Sequence, residues 1–234
     1  MKAVILAGGE GTRLRPYTYM IPKPLMPVGE LPIIEIIIRQ LKNNGFNNVV
    51  ILTGYKADLM EMFLKGSDVK YDLKIKFSRE EEPLGTIGPL SLIRNDLNED
   101  FILMNGDTLT NMNYTELMRH HRESDNMITI AIHKKEIYLD FGIVKLNGGN
   151  ISDYIEKPTN AYFVSMGVYV FNPEVLKYVP NSKLDFPDLV KILLRNGEQV
   201  GGYVSEDYWL DIGRHEDYLM ANQNVELIYN LMNI

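Results

Sequence analysis

A chain of 234 residues, 45% hydrophobic and 24% charged, has the composition of a globular protein with one sizeable core. Its formal net charge of −7 excludes the broad cationic surface that general nucleic-acid binding needs, so any phosphate site has to be local. The absence of cysteine excludes a thiolate nucleophile, cysteine metal ligation and a disulfide framework. No apolar run nears the ~20 residues of a membrane helix, and Met1–Lys2 lead directly into an apolar strand with no signal-peptide pattern. A cytoplasmic protein is expected, with no membrane and no nucleic-acid partner.

In chain order, KAVILA (2–7) reads as a buried strand, LPIIEIIIRQLKNNG (31–45) as a helix and NVVILTG (48–54) as a second buried strand. KADLMEMFLKG (56–66) is a helical pattern and LKIKFS (73–78) a strand. GTIGPLSLIRN (85–95) is read as helical, and DFILMNGD (100–107) as another buried strand. Gly45 and Gly66 stand where helix C-terminal glycines belong. Strands alternating with helices predict βαβ units and a mainly parallel sheet. After MITIAIHK (127–134) the rhythm shortens to GIVKL (142–146), the hairpin turn NGGN (147–150), ISDYIE (151–156) and YFVSMGVYVF (162–171). This stretch is expected to form a β-rich subregion that closes over the sheet. A helix at 185–197, two short strands and a last helix from about His215 complete the expectation.

The stretch LAGGEGTRLRP (6–16) places three glycines where the first strand stops, at the sheet edge that binds ligands in open α/β folds. A dinucleotide fingerprint could start at Gly9 and Gly11, with Glu30 in place of its ribose-binding acid, but it needs glycine where Leu14 stands. A P-loop needs Gly-Lys-Ser/Thr at its close, and here the sequence is Gly-Thr-Arg. A plain turn with solvated arginines leaves unexplained why Arg13, Arg15 and Lys23 share one stretch with Pro16, Pro22, Pro24 and Pro27.

The longer stretch LAGGEGTRLRPYTYMIPKPLMPV resembles the N-terminal signature of the sugar-1-phosphate nucleotidyltransferases, or NDP-sugar pyrophosphorylases. EEPLGTIGPL (81–90), NGD (105–107), FGIV (141–144), EKP (156–158), GVYVF (167–171) and WLDIG (209–213) follow in the family's order and span nearly the whole chain. The resemblance implies a Rossmann-like three-layer α/β/α fold with a mixed, mainly parallel central sheet and a small β-rich sugar-binding subregion. It also implies Mg²⁺-dependent transfer of a nucleotidyl group from an NTP to a sugar 1-phosphate, with release of pyrophosphate. Members of the guanylyl group usually continue into a left-handed β-helix. None follows the last predicted helix here, so residues 1–234 are expected to be a single catalytic domain, with homo-oligomerisation left open.

Such a reaction requires two mutually repelling anions to be positioned and the charge of the transition state to be neutralised, which suits cations in a glycine cradle. The resemblance implies Arg13 over the triphosphate and Lys23 at the α-phosphate. Arg15 matches a less demanding position. Leu6, Ala7, Gly8, Gly9, Gly11, Thr12, Pro83, Gly85 and Thr86 would line the nucleotide. Mg²⁺ takes one or two carboxylates plus substrate oxygens, which makes Asp107, at the end of its strand, the first candidate ligand; the resemblance adds Asp211. It also implies Glu156 at the sugar, Lys157 at its phosphate and Gly142 against the sugar. Asn105, Ser165 and Gly167 complete the expected sugar side, where Ser165 and Met166 replace an asparagine and alanine common in the family.

Glu80 lies near the position where thymidylyl members carry a base-reading glutamine. A carboxylate only accepts hydrogen bonds, so it could take the N1–H and N2–H₂ of guanine together, or the single N3–H of uracil or thymine; alternatively, Glu80 to Glu82 form a solvated acidic turn. EPLGTIGPL most resembles the mannose-1-phosphate guanylyltransferases, which points to GTP and a mannose-like hexose or heptose 1-phosphate. A uridylyl- or thymidylyltransferase of glucose-type or N-acetylated sugar phosphates, and a non-catalytic nucleotide-sugar sensor, are the alternatives. His120 and His121 are adjacent on a predicted helix and do not converge, and His133 and His215 have no ligand-spaced partner, so no catalytic histidine is expected.

Overall fold

The computed structural model describes the backbone of residues 1–234 and every side chain except those of residues 68 and 69. The chain begins with β1 (Lys2–Ala7), a small pair β2 (Pro27–Val28) and β3 (Leu31–Pro32), and α1 (Ile33–Asn43). It continues through β4 (Asn48–Thr53), α2 (Ala57–Phe63), α3 (Ser67–Tyr71) and β5 (Lys74–Arg79). Then come β6 (Phe101–Asn105), β7 (Thr108–Thr110), α4 (Tyr114–Glu123), β8 (Ile128–Tyr138), β9 (Ile143–Asn147), β10 (Asn150–Ile155) and β11 (Thr159–Phe171). The remainder is α5 (Phe186–Arg195), β12 (Val200–Val204), β13 (Trp209–Asp211), α6 (His215–Gln223) and α7 (Val225–Met232).

Seven strands form one sheet in the order β12-β8-β11-β6-β1-β4-β5, in which β11 alone runs against its neighbours. The mixed, mainly parallel sheet is therefore as read from the sequence. The inner strands are apolar on both faces because each face is covered. On one side Ile5, Ile51, Ile102 and Met104 pack with α1, through Ile33, Ile36 and Ile37. On the other, Val4, Leu52 and Leu103 pack with Ile87, Leu90, Leu189 and Leu193.

Three expectations are corrected. Residues 88–96 form kinked 3₁₀ turns instead of an α-helix; Pro89 lacks an N–H and Gly88 is pressed against the backbone of Ser182 and Leu184. The β-rich stretch does not simply close over the sheet, because β8 and β11 are themselves strands of it; only β9 and β10 stand off as a separate hairpin. The last helix is divided at Asn224, whose side chain donates to Met220 O at 2.8 Å and ends α6 before α7 begins.

β1 is flanked by β4 and β6, reached by connections on opposite sides of the chain's path, so the carboxyl ends of these strands border a topological switch point. The turns after β1, β4, β5 and β6 all open there.

Candidate active site

A cleft of about 1200 Å³ lies at that edge. The residues lining it include Leu6, Ala7, Gly8, Gly9, Gly11, Thr12, Arg13, Lys23, Glu80, Pro83, Gly85, Thr86, Asn105 and Asp107. Every residue expected at the nucleotide is therefore brought to one cavity.

The glycine turn is held from beneath. Leu14 is fully buried as its plug, Thr18 Oγ1 donates to Gly11 O at 2.9 Å, and Tyr55 N donates to Gly8 O at 3.0 Å. Tyr55 Oη in turn donates to Thr18 O at 2.9 Å, tying the turn after β4 to the turn after β1. Among the described residues the backbone N–H groups of residues 9–13 have no protein acceptor, which leaves a run of donors of the kind that receives phosphate oxygens.

Glu80 follows β5 and turns its carboxylate under this turn. One oxygen accepts from Leu84 N at 2.8 Å, and the other would stand 2.7 Å from a Cβ on Gly8, so a side chain at that crossing would displace the Glu80 carboxylate. Glu81 and Glu82 are exposed and form the acidic rim. Gly85 has φ +78° and lies against Asp185 and Leu184 O, a conformation and a space that admit only glycine.

Lys23 is 8% exposed, and Pro22 and Pro24 hold its backbone in a short 3₁₀ turn. A buried ammonium needs a partner, and Lys23 Nζ donates to Asp107 Oδ2. Asp107 follows Gly106, whose N–H donates to Leu6 O at 2.9 Å and locks the end of β6 to the end of β1. Its second oxygen, Oδ1, is buried with no hydrogen-bond partner among the described residues.

Asp211 arrives from far along the chain because β13 pairs antiparallel with β7, setting Asp211 opposite Thr108, and Ile212 N donates to Asp107 O at 3.1 Å. Burial and the Asp107 carboxylate push Asp211 above the ordinary aspartate value, while Lys23 and Arg13 pull it back. The Arg13 guanidinium and the Asp211 carboxylate both lie against Gly213. Arg15, by contrast, is exposed and pairs with Glu10 at 3.0 Å.

Two carboxylates thus converge beside two cations, and one carboxylate oxygen is buried without a hydrogen-bond partner among the described residues. This donor set fits Mg²⁺, which binds through one or two carboxylates together with substrate phosphates. Among the described residues no group of three or more His, Asp or Glu side chains is placed to hold a metal. Three of the four histidines are held by other bonds, His121 Nδ1 to Thr129 Oγ1 at 2.8 Å, His133 Nδ1 to Ser205 O and His215 Nε2 to Arg15 O, and the fourth, His120, packs edge-on against Tyr203.

The sequence matches the nucleotidyl transferase family over residues 2–227. The chain belongs to this family. It is 36% identical to the mannose-1-phosphate guanyltransferase of Hypocrea jecorina over 94% of its own length, and 35% identical to that of Schizosaccharomyces pombe over 94%. The chain spans only about 62% of the length of each of these curated relatives. The crystal structure of HddC from Yersinia pseudotuberculosis superposes with a TM-score of 0.77 at 26% identity, covering 96% of this chain and 99% of that one.

In this member of the nucleotidyl transferase family, the residues expected at the sugar divide into two groups. Asn105 lines the cleft, and Ser165 and Gly167, which do not, stand behind it on β11. The Asn105 amide and Thr108 pack on Gly167; Ser165 Oγ donates to Tyr169 Oη at 3.2 Å and accepts from Gly167 N at 3.3 Å. Ser165 is therefore already engaged in holding the strand. Gly142, Glu156 and Lys157 gather on the hairpin instead and are absent from the cleft lining. Glu156 accepts from Tyr154 Oη at 2.9 Å, Tyr154 lies over Gly142, and Lys157 Nζ pairs with Asp140 at 2.8 Å.

Sequence reasoning missed Tyr55, Lys183 and Asp185, which also line the cleft. Asp185 precedes Phe-Pro and has the look of a helix cap, yet it caps nothing in α5 and accepts from Thr86 N at 3.0 Å. Tyr55 could have been found from its place two residues beyond β4, the strand beside β1.

Proposed function

We propose that this chain transfers GMP from GTP to a hexose 1-phosphate, mannose 1-phosphate foremost, giving a GDP-sugar and pyrophosphate. The observation that carries this reading is the cluster of Lys23, Asp107 and Arg13 in the cleft with Asp211 beside them. Guanylyl transfer is favoured over other bases by the relatives' printed activity and by Glu80, whose acceptor-only carboxylate suits the paired donors of guanine. Residues 1–234 would act as one catalytic unit, in the cytoplasm where nucleoside triphosphates are held.

In the reaction a phosphate oxygen of the sugar 1-phosphate bonds to the α-phosphorus as the bond to the bridging α–β oxygen breaks, and pyrophosphate leaves with that electron pair. The free N–H groups of residues 9–13 hold the triphosphate, and the Arg13 fork engages its outer oxygens. Lys23 supplies positive charge at the α-phosphate. To do so it exchanges its hydrogen bond to Asp107 for one to substrate, a trade that keeps both ends paired. Mg²⁺, held by Asp107 and Asp211, would neutralise charge on the triphosphate as it develops. Lys157 and Glu156 hold the sugar phosphate and sugar from the hairpin side.

The test is to incubate the protein with GTP, mannose 1-phosphate and Mg²⁺ and follow ³¹P resonances. Equal amounts of GDP-mannose and pyrophosphate support the reading; GTP consumed to GDP and phosphate, or left intact, contradicts it.

A further inference from the structure

Two distant parts of the chain meet behind Arg13, and a histidine joins them. His215 stands in the first turn of α6, four residues after Asp211, and does not line the cleft. Its Nε2 lies 2.8 Å from the carbonyl oxygen of Arg15, 200 residues away in sequence. A carbonyl only accepts, so Nε2 carries the proton and donates it. Among the described residues this is the one hydrogen bond that joins residues 11–20 to residues 205–224. The His215 ring also packs on Tyr17, with centroids 5.7 Å apart, and Tyr17 packs in turn on Tyr218 at 5.8 Å.

The two sides of this contact differ in how firmly they are held. Arg13 is exposed on a 3₁₀ turn of only three residues, Thr12–Leu14, that follows Gly11 at φ +61°. Leu14 anchors the turn from below, but a long exposed side chain on so short a turn has no fixed direction of its own. A guanidinium fork engages phosphate well only when its plane is set. Asp211 is in the opposite condition. Its strand pairs with β7, and the loop after it is locked onto α6, where Asp217 Oδ2 accepts from Gly213 N at 3.2 Å and from Arg214 N at 2.7 Å. His215 is therefore part of the rigid unit that carries Asp211.

Through Arg15 O, His215 fastens to that unit the backbone two residues beyond Arg13. Arg13 then returns to the same unit: its terminal nitrogens and Asp211 Oδ2 all lie within 3.5 Å of the position that a Cβ on Gly213 would take. Asp211, Gly213, His215, Arg15 and Arg13 thus close a ring. The other bonds of Arg15 do not reach across. Its guanidinium pairs with Glu10 at 3.0 Å and lies 4.9 Å from the Tyr19 ring centre, and its N–H donates to Thr12 O at 3.3 Å. These contacts hold the turn to itself and leave His215 to hold it to β13.

We propose that His215 is a positioning residue: by holding Arg15 O it sets the Arg13 guanidinium beside Asp211, so that the fork is in place when a nucleoside triphosphate enters the cleft. The proposal rests on the reading that Arg13 engages the triphosphate. It adds that this engagement depends on a side chain that touches no substrate.

A double-mutant cycle on GTP binding tests it. The probe is GTP with Mg²⁺, titrated by calorimetry without sugar phosphate so that no transfer occurs. His215→Ala should raise Kd about tenfold, the scale of one charge-assisted bond to phosphate. His215→Gln, whose amide nitrogen can donate to the same carbonyl, should bring Kd back to within about twofold of the wild type. In an Arg13→Ala background His215→Ala should have no effect, because the group it positions is gone. A loss that persists in that background would make His215 a general support of the fold or a direct ligand and would overturn the proposal, as would wild-type affinity in His215→Ala. Hydrogen exchange of the nucleotide-free protein gives a second reading. Leu14 N and Arg15 N, bonded to Gly11 O and Thr12 O, should exchange faster in His215→Ala, and unchanged exchange there would also overturn the proposal. A wild type that binds GTP but makes no sugar nucleotide would defeat the transfer reading and leave the His215 result standing, whereas one that binds no GTP would overturn both.

Discussion

The cleft and the β9–β10 hairpin are both made at strand ends, yet they are held in opposite ways. Each turn of the cleft is tied to another element: the glycine turn to Tyr55 and Thr18, Gly106 to Leu6, and Thr86 to Asp185. The hairpin's polar side chains are tied only to one another, as in Lys157–Asp140, Lys145–Asp153 and Tyr154–Glu156. Preorganised donors cost little rearrangement when charge develops, so the nucleotide half should be ready before substrate arrives. The residues proposed for the sugar phosphate, Glu156 and Lys157, follow a hairpin that pairs with no other strand among the described residues.

The contrast can be broken in order of effect. Lys23→Ala or Asp107→Asn should each lower kcat by about 10²-fold or more, the loss seen when preorganised charge stabilisation is removed. Steady-state kinetics on variants with unchanged thermal unfolding check this, and near-wild-type turnover in both would remove the cleft from the chemistry. Lys157→Ala should raise KM for the sugar 1-phosphate roughly tenfold, the worth of one charge-assisted bond, while leaving nucleotide affinity by calorimetry unchanged. A loss of nucleotide affinity would mean that the two halves are not separate.

Glu80→Gln should narrow the preference for GTP over ATP by about tenfold, since the amide no longer offers two acceptors. An unchanged ranking of nucleotides would assign Glu80 solely to supporting Gly8 and Leu84 N. The smallest effect is on stability. Burial and Asp107 raise the Asp211 carboxyl in the native state, so its ionisation opposes folding. That penalty is absent below the ordinary aspartate value, where both states are protonated, and grows as pH rises through the native value. Asp211→Asn should therefore raise the Tm of the ligand-free protein by a few degrees at pH 7 and by nothing near pH 3. An equal or negative shift at pH 7 would show that Lys23 and Arg13 already outweigh the repulsion.

Much of this architecture was legible because periodicity and punctuation agree in the first half. KAVILA, NVVILT and FILMN are unbroken apolar runs between helical patterns, and they became β1, β4 and β6. Lys23 and Asp107 were legible as residues, but their pairing was not, because it depends on β6 lying beside β1. Asp185 was missed for the same reason: a residue at the start of a predicted helix does not reveal that Thr86, 99 residues away, donates to its carboxylate. The role of β11 was hidden by its uniform apolar sequence, which suits a sheet strand and an exposed ribbon equally. The one local mark of where β11 leaves β6 is Gly167, whose φ of +74° lies in the register shift between Ser165 and Tyr169.

The most direct test of the central claim is pyrophosphate release with Mg²⁺ across GTP, UTP, dTTP, CTP and ATP, each with a panel of sugar 1-phosphates that includes mannose, glucose, N-acetylglucosamine and heptose. Release confined to GTP, highest with mannose 1-phosphate and lost in Asp107→Asn, is the predicted result. Release led by UTP or dTTP, or none from any pair while GTP still binds, would contradict it.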